Sequence, residues 1–139
     1  MAAVGKRANS YQVFVSYSHK DRWIAKQCVR LIEEVGRGRI GTFLDVKDID
    51  GGERIEDKVL DGIRKCDELV VLISASTKDS QWVPFEIGAA RMRRKPVAAI
   101  LNNLSPREMP DLLYSYKSID LNDFEEYLEE LQRRAEKKR

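Results

Sequence analysis

Apolar residues in this chain gather in short continuous runs, separated by longer stretches in which they recur every three or four positions. The runs are Val13-Phe14-Val15 within residues 11–17, Leu69-Val70-Val71-Leu72-Ile73, and Val97-Ala98-Ala99-Ile100-Leu101. Runs of this length, rich in β-branched residues and bounded by polar loops, predict strands; the two later ones have the unbroken character of strands covered on both faces. Weaker strands are predicted at residues 42–45 and 115–121. Between the runs, Ile24, Cys28, Leu31, Ile32 and Val35 keep a helical period. So do Ile55, Val59, Leu60 and Ile63, then Val83, Ile87 and Ala90, and lastly Phe124, Tyr127, Leu128 and Leu131.

The punctuation agrees with the period. Ser18 or Asp21 is the expected cap of the first helix, which stops at Gly36-Arg37-Gly38, where a glycine can take the left-handed position. Pro84 lacks an N–H and belongs in the first turn of the third helix, so Asp79 or Ser80 is its expected cap. The segment 102–113, with Pro106 and Pro110, reads as irregular or as carrying a short helix.

Strand–helix alternation repeated in this way predicts an α/β fold, a flavodoxin-like five-stranded parallel sheet of order 2-1-3-4-5 with helices on both faces. In such sheets ligands bind beyond the carboxyl ends of the strands, near the point where the order reverses. The loops meeting there are residues 16–21, 45–53 and 74–86. They hold most of the conspicuous polar and glycine residues, and they include Trp82 and Glu86. Spaced by four, these two share one face of the third helix. Taken alone they read as a core tryptophan and a solvated acid; on the ligand edge they read as a ring platform beside a carboxylate.

Composition narrows the field. A chain of 139 residues reads as one domain, 11–139, with residues 1–10 a disordered lead-in. With 35% charged residues but a net charge of only +2, the chain carries no electrostatic signature for nucleic acid. Its basic tail (Arg133, Arg134, Lys137, Lys138, Arg139) is interleaved with Glu130 and Glu136 and reads as a solvated helix end. The apolar runs are too short to span a bilayer, and the first residues lack a signal-peptide hydrophobic region. Cys28 and Cys66 read as free thiols in a reducing, cytoplasmic setting. His19 is the sole imidazole, so neither a zinc site nor a serine triad is expected. A phosphate-cradling glycine loop is missing after the first strand, an acceptor aspartate is missing after the third, and Asp45, Asp48 and Asp50 lack calcium-loop spacing.

Several stretches, in order, resemble one family. Val13-Phe14-Val15-Ser16-Tyr17-Ser18 looks like the first-strand signature of the Toll/interleukin receptor (TIR) domain, with Gln12 where an aspartate is usual. Phe43-Leu44-Asp45-Val46 followed by Ile49-Asp50-Gly51-Gly52 resembles its second strand and BB loop. Leu69 to Ser74 resembles its third strand, and Trp82-Val83-Pro84-Phe85-Glu86 the Trp-x-x-x-Glu motif of NAD-cleaving members. The resemblance covers about residues 11–131.

It implies an NAD glycohydrolase or ADP-ribosyl cyclase that breaks the nicotinamide–ribose bond, with NAD as substrate and no cofactor. Glu86 would be catalytic and Trp82 a stacking platform. Ser16, Tyr17, Ser18 and His19 would line the nicotinamide end, with His19 and Lys20 where an arginine is common, and Asp45 would lie near the ribose. The chemistry suits these residues: the bond leaves through an oxocarbenium-like state that a carboxylate stabilises or captures. A cationic nicotinamide over an indole gains roughly 0.5–2 kcal/mol. The resemblance also implies self-association with other TIR domains through the BB loop, residues 45–53, and a place in prokaryotic immunity or host-directed signalling. Two alternatives stand beside it: a non-catalytic TIR scaffold, and a nucleoside deoxyribosyltransferase-like enzyme.

Overall fold

The computed structural model describes residues 10–44 and 54–138. Five strands, β1 (Tyr11–Ser16), β2 (Ile40–Phe43), β3 (Glu68–Ile73), β4 (Val97–Leu101) and β5 (Ser118–Asp120), form one parallel sheet of order β2-β1-β3-β4-β5. The connecting helices are α1 (Arg22–Gly36), α2 (Ile55–Lys65), α3 (Trp82–Met92) and α4 (Phe124–Lys137). The expected flavodoxin-like order is the one observed.

Strand side chains alternate between two cores, as the pleat requires. Val13, Val15, Val70, Leu72 and Ile100 pack beneath α1 and α4 with Ile32, Tyr127 and Leu131. Phe14, Leu69, Val71 and Ile73 pack beneath α2 and α3 with Val59, Ile63, Val83 and Ile87. Covering on both faces explains why the strand sequences carry no polar alternation.

Boundaries differ from the sequence reading where packing decides them. β2 begins earlier, because Ile40 is buried and the Tyr11 amide already bonds the Arg39 carbonyl at 2.8 Å. β5 is cut to three residues, and the segment before it carries two short 3-10 turns, Pro106–Glu108 and Asp111–Leu113. Leu31, Ile55 and Leu60, expected inside by period, lie substantially exposed on the outer flanks of their helices. Ser10, assigned to the lead-in, is buried and its carbonyl accepts from Lys138 Nζ at 3.2 Å.

The end of α1 also departs from expectation. Arg37, not a glycine, holds the left-handed position after the helix (φ 48°), and Gly38 follows at φ 84°. Gly36 is the last residue of α1, and the absence of a side chain lets Ile40 approach, since a Cβ there would sit 2.6 Å from Ile40 Cβ. Gly36→Ala is therefore expected to push α1 off β2 and cost about 1–3 kcal/mol, read as a lowered urea midpoint with unchanged slope.

At the amino end of the sheet the basic tail is not simply solvated. Arg134 grips the buried Glu68 carboxylate with Nε at 2.7 Å and Nη2 at 3.0 Å. The hydroxyls of Tyr11 (2.7 Å) and Tyr127 (2.5 Å) donate to the same two oxygens. Burial and the adjacent carboxylate hold both phenols well above their ordinary pKa. Lys138 pairs with Asp67 at 3.0 Å. These contacts tie α4 across β1 and β3 at the end opposite the expected ligand edge. Among the described residues no helix is long and apolar enough to cross a membrane.

Candidate active site

β1 is flanked by β2 on one side and β3 on the other, so the loops after β1 and β3 emerge side by side at the carboxyl edge. After Ser16 the chain runs through Tyr17 and Ser18 into a 3-10 turn, His19–Asp21, closed by the Asp21 amide on the Ser18 carbonyl at 2.8 Å. After β3, Ser74 starts a second 3-10 turn, Ala75–Asp79, and α3 follows. The N-cap position of α3 falls to Gln81, which makes no side-chain cap, and not to Asp79 or Ser80; Ser80, one residue earlier, still accepts the Val83 amide on Oγ at 3.2 Å, and Pro84 lies in the first turn.

These loops border a cavity of about 380 Å³ lined by Tyr17, Ser18, His19, Lys20, Asp79, Ser80, Gln81, Trp82 and Glu86, together with Val15 and Leu44. That volume falls within the usual range for small-ligand sites. Trp82 is half-buried, its ring meeting the edge of Phe85 at 5.6 Å and 85°.

One turn further along α3, Glu86 is only 6% exposed. Ser16 Oγ donates to Glu86 Oε1 at 2.6 Å from behind, itself 1% exposed. Oε2 takes no hydrogen bond from a described residue. Burial pushes the Glu86 carboxyl up to about 7, against the opposing pull of the Ser16 hydrogen bond, which favours the charged form. A carboxyl whose titration is shifted by burial in a cleft is a candidate functional group.

Ser16→Ala would remove a hydrogen bond to a charged group. The Glu86 carboxyl is then expected to titrate about one unit higher, measurable by carbon-13 NMR of the labelled carboxyl. An unchanged midpoint would mean that Ser16 does not support the ionised form.

Of the residues expected at the site, Tyr17, Ser18, His19, Trp82 and Glu86 meet at this cavity. Ser16 stands behind it as the partner of Glu86, and Asp45, with the rest of 45–53, lies outside the described residues. Sequence reasoning did not single out Asp79, Ser80 and Gln81 as lining residues, although all three lie in a loop that the topology placed at this edge. Val15 and Leu44 stand out in the sequence only as members of strands and of stretches that resemble TIR strands, not as lining residues.

The model of the TIR domain family matches residues 13–133. A Brachypodium distachyon protein named as a probable 2' cyclic ADP-D-ribose synthase, BdTIR, is 26% identical over 101 residues, 71% of this chain and 44% of that protein. The chain therefore spans less than half the length of that curated relative. Among solved structures, the TIR domain of the Toll-related receptor TRR-2 from Hydra magnipapillata has a TM-score of 0.71 at 20% identity, covering 91% of this chain and 99% of that one. The TIR domains of the activated Roq1 resistosome, which directly recognises the pathogen effector XopQ, have a TM-score of 0.60 at 23% identity, covering 70% and 61%. At these identities the structural likeness speaks for the fold.

Proposed function

Because this chain belongs to the TIR domain family, we propose that it cleaves the nicotinamide–ribose bond of NAD, with Glu86 as the catalytic carboxylate. The observation that carries this reading is the buried Glu86 on the cavity wall, held by Ser16 at 2.6 Å and one helical turn from Trp82. The likeness to a probable cyclic ADP-D-ribose synthase supports the same chemistry.

In this mechanism the C1–N bond breaks with its electron pair passing to the nicotinamide nitrogen, so the departing ring becomes neutral. Positive charge grows on the ribose, where the Glu86 carboxylate stabilises it in a site of low polarity. Water, or a group of the ADP-ribose itself, then attacks C1 and loses a proton, giving ADP-ribose or a cyclic isomer. Trp82 offers its ring face to the nicotinamide, gaining roughly 0.5–2 kcal/mol while that ring is cationic. Lys20 at the rim supplies positive charge suited to the pyrophosphate, and Tyr17, Ser18 and His19 offer the nicotinamide end further polar and ring contacts. Asp45 is assigned to the ribose by family likeness.

A second reading, assembly with other TIR domains through residues 45–53 without catalysis, has its own support. Phe85 and Met92, seven residues apart and so on one face of α3 two turns from each other, are 38% and 85% exposed, apolar surface that a neighbouring domain could cover. The two readings combine if assembly switches the site on, as expected of a signal-gated enzyme in immune or host-directed signalling. Incubating the protein with NAD, free and clustered on beads, and separating the products by chromatography tests both. Nicotinamide released on clustering supports gated catalysis; none in either state leaves the scaffold reading.

A further inference from the structure

Asp21, a candidate cap by sequence, makes no side-chain cap to α1. Its carboxylate turns inward instead and accepts from Ser74 Oγ at 2.5 Å, across 53 residues of chain, with both residues buried. Neither lines the cavity. Each stands where one cavity wall meets the fold: Asp21 directly after Ser18, His19 and Lys20, and Ser74 at the start of the turn that ends at Asp79.

From Ser74 the hydrogen bonds continue toward the carboxylate-bearing helix. Ser74 Oγ accepts the Ser76 amide at 3.1 Å, and the Ser74 amide donates to Thr77 Oγ1 at 2.8 Å. The Thr77 amide returns to the Ser74 carbonyl at 3.0 Å. The Ser80 amide donates to the Thr77 carbonyl at 3.0 Å, and Ser80 Oγ holds the Val83 amide at 3.2 Å. The chain of bonds thus runs unbroken from the loop after β1 to the first turn of α3, which carries Trp82.

We propose that the Asp21–Ser74 pair is a positioning clasp that fixes the loop after β1 against the opening of α3, and so sets the placement of Trp82 and Glu86 relative to Ser18, His19 and Lys20. The proposal deepens, and rests on, the NAD-cleaving reading. A clasp of this kind acts on the geometry of the reacting complex more than on gross affinity. Misplacing a catalytic group by about 1 Å from a distance costs on the order of 100-fold. Local pairs of buried polar groups fix one arrangement because every alternative leaves one of them unpaired.

The test uses Asp21→Ala, Ser74→Ala, the double variant, and Ser74→Thr, which keeps the hydroxyl at an extended backbone position (φ −139°) that suits a β-branched residue. Kinetics of nicotinamide release and amide hydrogen exchange are read on each. The alanine variants are expected to lose about 10- to 100-fold in kcat with KM little changed. The double variant should be no worse than the worse single, and Ser74→Thr should recover most of the rate. Exchange should rise at residues 75–83 while α4 stays protected. Wild-type-like exchange at 75–83 in both alanine variants overturns the clasp, as does a general loss of protection that includes α4. If the wild type releases no nicotinamide, the NAD-cleaving reading fails by itself, and the exchange pattern still decides the clasp. If Asp21→Ala does not fold, Ser74→Ala carries the same comparison.

Discussion

Arg134→Met should lower the free energy of unfolding by about 3 kcal/mol, because it leaves the Glu68 carboxylate buried with only two hydroxyl donors. Glu68 is 1% exposed at the first position of β3, and Arg134 binds it through two nitrogens, at 2.7 and 3.0 Å. Methionine keeps an unbranched apolar side chain while removing the guanidinium, whose carbon also lies 5.8 Å from the centre of the Tyr127 ring, so the loss of that cation–π contact is part of the cost. Arg134 is itself partly exposed, with a side-chain exposure of 34%, which places the cost at the lower end of what breaking buried pairs entails. Replacing Glu68 as well, by leucine, should restore part of the loss, since an apolar pair strands no charge. Urea unfolding of the two single variants and the double gives the coupling. A change under 0.5 kcal/mol for Arg134→Met would show that water reaches Glu68 and replaces the guanidinium. Because the network sits at the amino end of the sheet, cavity residues should keep their native chemical shifts in Arg134→Met below its unfolding transition.

Glu86→Gln is expected to act in two opposite directions. The rate of NAD cleavage should fall by about 10³-fold, since a neutral amide of the same shape cannot stabilise positive charge on the ribose. Stability should rise. The folded protein holds the Glu86 carboxyl up to about 7 against an ordinary value of 4.5, so between those two pH values the native state binds more protons than the unfolded chain. Stability from this group is therefore fully present below about pH 4.5 and is lost as the pH climbs to 7. The total is on the order of 3 kcal/mol. Glutamine removes that dependence. The variant should be more stable than wild type at pH 8, and the two should converge toward pH 4.5. Thermal unfolding from pH 4.5 to 8 checks the slope, and parallel curves would place Glu86 in contact with solvent water. A carboxylate kept at a cost in stability is what a functional group, not a structural one, is expected to show.

The sheet order was legible because each strand covered on both faces announces itself as an apolar run, and each helix by its period. The ends of elements were not. Gly36 looked like a helix terminator, yet its missing Cβ serves the close approach of Ile40, a contact made only once α1 lies on β2. Trp82 and Glu86 could be placed at the ligand edge from topology alone, and their spacing put them on one helix face. Whether Glu86 faces water or a buried wall depends on Ser16, 70 residues away in sequence, and no local pattern records that. Asp21 was legible only in part: it does hold the N-cap position of α1, but its side chain makes no cap bond, and only the neighbouring β3 loop shows its partner, Ser74. The Glu68 cluster was invisible because it joins β1, β3 and α4, and the charges of α4 looked solvated when taken along the helix.

The most direct test is nicotinamide release from NAD by wild type and Glu86→Gln side by side, at high protein concentration and clustered on beads, from pH 5 to 9. Release by wild type that rises through a midpoint near the raised pKa of Glu86, about 7, and is nearly abolished across the range in the glutamine variant, is the expected result. Equal release from the two proteins, with both folded, would contradict the assignment of Glu86 as the catalytic carboxylate.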